Sequence, residues 1–161
     1  MKAYNSKIRA YKEDDWNSIH DIFSKAKPDE FKGSVGKEDI IPLDKDRDIL
    51  KLFRDSVIYV AERDDRIIGF VGYKKYLISF LFTSPDCYRQ KIATRMLEYI
   101  LPLIGDKAWL LVLKTNLPAI ELYSKFGFTI AEEFAGKYNR KIDVTVLRLA
   151  IKPSLESWKQ N

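Results

Sequence analysis

Two almost continuously apolar runs, Leu77–Thr83 and Ala108–Leu113, each lead into a segment whose apolar residues recur at helical spacing. A strand of that composition is expected to be buried on both faces. A strand–helix–strand–helix–strand succession implies parallel strands with the helices as crossovers. Ser84, Pro85 and Asp86 break the first run. A helix over about Gln90–Leu101 follows, with Ile92, Met96, Leu97, Ile100 and Leu101 on one side, ended by Pro102 and Gly105. The second run leads into the helix of Asn116–Phe128, and strands over Phe128–Phe134 and Ile142–Ala150 close the pattern.

Ahead of this centre, Ile8–Tyr11 reads as a short strand. A helix follows, capped by Asp14 or Asp15, with Trp16, Ile19 and Phe23 as its buried stripe. The polar stretch Lys25–Asp48, with Pro28, Gly33, Gly36 and Pro42, reads as loop with one or two short helical turns. A second helix over Arg47–Arg54 packs Ile49, Leu50 and Phe53. Val57–Glu62 and Arg66–Tyr73 are strands joined at Asp64 and Asp65, a residue type that tolerates the left-handed conformation of a tight hairpin. The order is β-α-α-β-β-β-α-β-α-β-β. This is an α/β chain with a mixed central sheet, one domain over 1–152 and a polar tail over 153–161.

The 161 residues suffice for one core, and 46% hydrophobic with 32% charged residues is a globular balance. No apolar run approaches the roughly 20 residues of a membrane span. The N-terminal residues carry no apolar signal region, so the cytoplasm is the expected location and no membrane partner is expected. A single cysteine, Cys87, excludes an internal disulfide and a Cys-clustered metal site. The net charge of +5 is interspersed, without a basic block that argues for nucleic acid. A mild positive field suits a small polyanionic ligand.

Two segments carry chemistry. In the first, Asn116 opens a helix, Pro118 sits in its first turn, and Gly127 stops it. Ile120, Tyr123 and Phe126 share a face. Asn116 reads as a cap and Tyr123 as a core aromatic, or both serve a site. In the second, a basic loop joins the strand to a helix. Arg89 and Lys91 bring charge to the helix N-terminus, where free N–H groups bind phosphate, and Ala93 leaves the first turn uncrowded. A solvated basic turn fits this loop equally well. It has neither the glycines of a dinucleotide fingerprint nor those of a Walker loop.

Together the two segments resemble the GCN5-related N-acetyltransferase (GNAT) family, over roughly Ile8–Ala150. Asn116, Ala119, Leu122-Tyr123 and Gly127-Phe128 meet the spacing of the family's C-terminal signature. Its phosphate loop has Gln or Arg, two variable residues, Gly, any residue, then Gly or Ala. Here Tyr88 stands at the first position, Lys91 at the glycine and Ala93 at the last. Lysine at the glycine position is expected to be helical or extended.

The resemblance implies a single-domain GNAT-like fold and an N-acetyltransferase, with acetyl-CoA as co-substrate and no metal. The acceptor is a primary amine of a small molecule or peptide, and the protein a monomer or homodimer. It further implies that Leu81, Phe82 and Thr83 line the pantetheine arm, with the amide of Leu81 or Phe82 as oxyanion donor. Arg89, Gln90, Lys91, Ile92, Ala93 and Thr94 hold the phosphates. Asn116 contacts the arm, Lys125 reaches the phosphate end, and Tyr123 is the general acid. No carboxylate lies between Tyr76 and Pro85, and Ser79 is no strong base, so no general base is assigned. Glu62 is an alternative to a bound water. Asp29, Glu30, Glu38, Asp39 and Asp44 read as solvated loop charges or as acids that could attract an amine. Phe31, Tyr73, Tyr76, Phe80 and Tyr138 are aromatics that could line its pocket, with core packing accounting for several of them. His20 reads as a helix-surface residue. A non-catalytic acetyl-CoA-binding or protein-interaction module on the same fold is the alternative.

Overall fold

A computed structural model describes residues 5–32 and 35–159. Gly33 and the last two residues of the C-terminal tail lie outside them. The strands are β1 (Lys7–Ala10), β2 (Val57–Arg63), β3 (Arg66–Lys74), β4 (Leu77–Thr83), β5 (Trp109–Leu113), β6 (Thr129–Tyr138) and β7 (Ile142–Ala150). The helices are α1 (Trp16–Ala26), α2 (Arg47–Asp55), α3 (Ile92–Ile104) and α4 (Leu117–Lys125). Short 3-10 turns over Lys27–Phe31 and Lys37–Asp39 break the polar stretch between α1 and α2. All seven strands form one sheet in the order β1-β2-β3-β4-β5-β7-β6.

Neighbouring strand residues point to opposite faces, and the sheet accordingly has two cores. Val60, Phe70, Phe80 and Phe82 pack with Ile19, Phe23 and Phe53 of α1 and α2. Ala61, Val71 and Leu110 pack with Met96, Leu97 and Ile100 of α3 and with Tyr123 of α4. The hairpin turn is as expected, with Asp64 and Asp65 both at positive φ.

Several expectations are corrected. Asp15 does not cap α1 with its side chain. It is buried, accepts two hydrogen bonds from Arg9 and one from the Lys12 amide, and so ties β1 to the start of the helix. Pro102 lies inside α3, which runs on to Ile104 and stops at Gly105 with φ 89. So close to the end, a missing N–H removes only one helical bond. On β4, Ile78, Phe80 and Phe82 are buried while Leu77, Ser79, Leu81 and Thr83 are half-buried. On β5, Leu111 is exposed. Both strands border an opening. Within the polar tail, Ser157 is buried and bonded to the Lys107 carbonyl, and Trp158 meets Trp109 edge-on.

The opening arises from a bulge. Tyr73 pairs with Ile78 and Gly72 with Phe80, so Ser79 is the extra residue. A bulge bends and twists its strand. Glycine opposite it leaves room for Ile58, whose Cδ1 would lie 2.5 Å from a Cβ on Gly72 and would have to shift. β5 cannot follow the bend, being held by five paired positions on β7. β4 and β5 therefore pair in parallel only at Leu77 and Trp109, then part. They are the sheet's only hydrogen-bonded parallel pair among the described residues, because β7 lies between β5 and β6.

Candidate functional site

The parted strands open into a cleft of about 1010 Å³. Backbone direction along β4 follows from one bond: the Ser84 amide donates to Ile68 of β3 at 2.8 Å. Alternation then turns Phe82, paired with Phe70, toward β3, and leaves the amides of Leu81 and Thr83 facing the gap. Of the two expected oxyanion donors, Leu81 is thus available and Phe82 is not. On β5, the Lys114 amide donates to Thr145 of β7, so Leu111 and Leu113 face the gap from the other side.

Past β4, a 3-10 turn over Pro85–Cys87 leads into α3. Arg89 and Lys91 both lie in the left-handed region, with φ of 63 and 61. The helical or extended lysine is therefore overturned: Lys91 takes the left-handed conformation that glycine reaches at least cost. That conformation costs a non-glycine residue about 1–2 kcal/mol. It folds the loop tightly enough to place the start of α3 at the cleft. Asp86 braces the loop from behind through bonds from Ser84 and Arg66, which hold its carboxyl down at about 2. The helix starts at Ile92 rather than Gln90. The Gln90 side chain is bonded to Arg63 at 2.7 Å and, unlike its neighbours, does not line the cleft.

Leu81, Phe82, Thr83, Arg89, Lys91, Ile92, Ala93, Thr94, Asn116, Tyr123 and Lys125 all line it. The first amides of α3 have no partner within the helix, and the three cations bring positive charge to the same cleft. Asn116 precedes α4 without a side-chain capping bond, contrary to the cap reading, and its side chain is left for the cleft. Tyr123 is buried, edge-on to Phe128, with no hydrogen-bond partner for its hydroxyl among the described residues. Burial, with a smaller contribution from the charge of Glu30, pushes its phenol well above the ordinary tyrosine value, so the hydroxyl keeps its proton.

The 3-10 turn Lys27–Phe31 spans the cleft. Tyr88 donates to Asp29 at 2.9 Å from the α3 side, and Thr115 donates to the Glu30 carbonyl at 3.2 Å from the β5 side. Phe31 packs on Tyr138 of β6, whose hydroxyl accepts from the Ile41 amide. Asp29, Glu30, Phe31, Phe80 and Tyr138 therefore line the cleft, while Glu38, Asp39, Asp44, Tyr73 and Tyr76 do not. Asp44 pairs with His20. Glu62 is bonded to Arg9 at 2.6 Å, which removes it as a base in the cleft. Cys87 lines the cleft with its thiol pushed up by burial. Nothing in the sequence marked Lys27, Leu111 or Leu113, which line it too. Among the described residues no cluster of His, Cys, Asp or Glu could hold a metal, and no helix is long and apolar enough to cross a membrane.

Comparison with known proteins agrees with this geometry. Residues 54–130 match the acetyltransferase (GNAT) domain model. Human cysteine-rich protein 2-binding protein is 38% identical over 90 residues, covering 52% of this chain but only 12% of that protein. A GCN5-related N-acetyltransferase structure from Rhodopseudomonas palustris superposes with a TM-score of 0.73 at 14% identity, covering 91% of this chain and 96% of that one. A PaiA N-acetyltransferase from Thermoplasma acidophilum, in complex with coenzyme A, gives 0.71 at 19% identity, with 89% and 97% covered. The chain has the fold of the GCN5-related N-acetyltransferase family, and its residues 54–130 match that family's domain model. The chemistry of that family is acetyl transfer.

Proposed function

We propose that the protein moves an acetyl group from acetyl-CoA directly to a primary amine of a small molecule or peptide. One observation carries the reading: β4 parts from β5 after a single paired position, which turns the Leu81 amide into a cleft that Tyr123 also lines. The residues present fit acetyl-CoA. Unpaired backbone groups of Leu81 and Thr83 suit the amide-bearing arm, with Asn116 beside them. The start of α3, with Arg89, Lys91 and Lys125, suits the phosphates. The cofactor supplies an activated acetyl thioester.

The chain's own groups do the rest. The cleft holds the two reactants together. The Leu81 amide donates to the oxygen on which negative charge develops. Tyr123 gives its proton to the departing sulfur. The same burial that raises the phenol makes a nearby thiolate more basic, so the transfer is not opposed by the dry surroundings.

Thiol release from acetyl-CoA with a panel of primary amines tests the reading. Amine-dependent release supports it. Acetyl-CoA binding without release from any amine favours the non-catalytic module, for which the lack of a carboxylate on β4 is the specific argument.

A further inference from the structure

Lys27, the first residue of the 3-10 turn after α1, holds its ammonium inside the cleft. Its Nζ lies 5.7 Å from the centre of the Phe23 ring, 5.9 Å from that of Phe31 and 5.9 Å from that of Phe82. Glu30 Oε2 stands 2.7 Å away. The rings come from α1, from the 3-10 turn and from β4, and all three are buried. Aromatic rings and a carboxylate converging on one point form a receptor for an alkylammonium ion. A surface ion pair at this spacing needs only the carboxylate and recruits no rings. The receptor also adjoins the reacting groups. Phe23, Phe31 and Phe82 line the same cleft as Leu81 and Tyr123, and the charge of Glu30 reaches the Tyr123 phenol.

We infer that Phe23, Phe31, Phe82 and Glu30 form the acceptor subsite, that it takes the ammonium end of an unbranched alkylamine such as a lysine side chain, and that Lys27 occupies it as an internal competitor. The inference rests on the acetyl-transfer reading above. The side chain of Lys27 is already 20% exposed, so its stem can swing outward when an acceptor enters. The nitrogen of the bound ammonium sheds two protons during transfer. One goes to Glu30 and on to solvent, freeing the lone pair that bonds to the acetyl carbon as the carbon–sulfur bond breaks. The other restores Tyr123 after its proton has gone to the sulfur. A resident competitor lowers apparent affinity by the fraction of time the receptor stands open, so removing Lys27 tightens acceptor binding.

The test is calorimetric titration of n-butylammonium into the full chain, as wild type, Lys27→Ala, Glu30→Gln and the double variant. The same four proteins are assayed for thiol release from acetyl-CoA with n-butylamine. The expected result is at least tenfold tighter binding by Lys27→Ala, a matching fall in KM with kcat little changed, and loss of both gains in the double variant. Equal or weaker binding by a folded Lys27→Ala overturns the inference. Should that variant fail to fold, the wild type decides. n-Butylammonium must raise the reactivity of Lys27 toward an amine-modifying reagent, read by peptide mass, and unchanged reactivity overturns the inference equally. Altered binding with no thiol release in any variant supports the subsite and removes acetyl transfer. Thiol release with unchanged KM in Lys27→Ala does the reverse.

Discussion

Tyr88 donates a 2.9 Å hydrogen bond to Asp29, joining the loop that follows β4 to the turn that follows α1. The bond replaces whatever a Gln or Arg at the same point of the family pattern would do, and it fastens the turn Lys27–Phe31 across the cleft. Tyr88→Phe removes the bond and keeps the ring. We expect faster amide exchange over residues 29–32 with a loss of global stability of about 1 kcal/mol or less. Unchanged exchange there means the turn is held by Thr115 and Tyr138 alone.

Lys91 combines a strained backbone with a useful charge. Lys91→Gly relieves the strain but adds glycine's entropy, for a net gain on the order of 0.5 kcal/mol in thermal unfolding. Lys91→Ala keeps the strain. Both variants lose the charge, so both should bind acetyl-CoA more weakly and with less salt dependence than wild type. Stability and affinity thus move in opposite directions in the glycine variant. A joint rise sinks the assignment of Lys91 to the phosphates.

Tyr123→Phe should lower turnover about 100-fold while leaving acetyl-CoA affinity nearly intact. Equal turnover removes Tyr123 from the acid role. The phenol must be protonated to act, and its folded-state value lies above the ordinary tyrosine one. The wild-type rate should therefore show no tyrosine-linked decline up to the ordinary tyrosine value of about 10, read from the pH–rate profile.

Asp15 has its carboxyl held below the ordinary value, first by Arg9, with the Lys12 amide adding to it. A depressed folded-state value means that its contribution is present above the unfolded carboxylate value. It is lost as pH falls through the lower folded one. Asp15→Asn should cost about 3 kcal/mol at neutral pH, with the gap from wild type narrowing in acid. A gap that stays constant down to pH about 2 rules out this linkage.

The strand and helix succession was legible because apolar spacing reports which faces are buried, and these elements bury theirs. Leu77–Thr83 misled for the same reason. Its composition suits two covered faces, but Leu81 and Thr83 are apolar or neutral for the sake of a cleft. The backbone of Lys91 was illegible because side-chain identity only biases φ, and here the turn into α3 dictates it. Lys27 was unreadable for a different reason. A lysine two residues into a polar stretch looks solvated until Phe23, Phe31 and Phe82, distant in sequence, are brought around it. Gln90 matched the loop by position alone, and Arg63 on a neighbouring strand turned it away.

The place of β7 between β5 and β6 sets an order in time as well as in space. As the chain leaves the ribosome, β6 emerges with no strand to pair with, and β5 can gain its five antiparallel positions only once residues 146–150 have appeared. The half of the sheet that backs Tyr123 of α4 and forms one wall of the cleft therefore waits for nearly the whole described chain. Contacts so distant in sequence form slowly, and a nascent chain halted before β7 displays β6 as a bare edge. The last strand made is the one that closes the sheet.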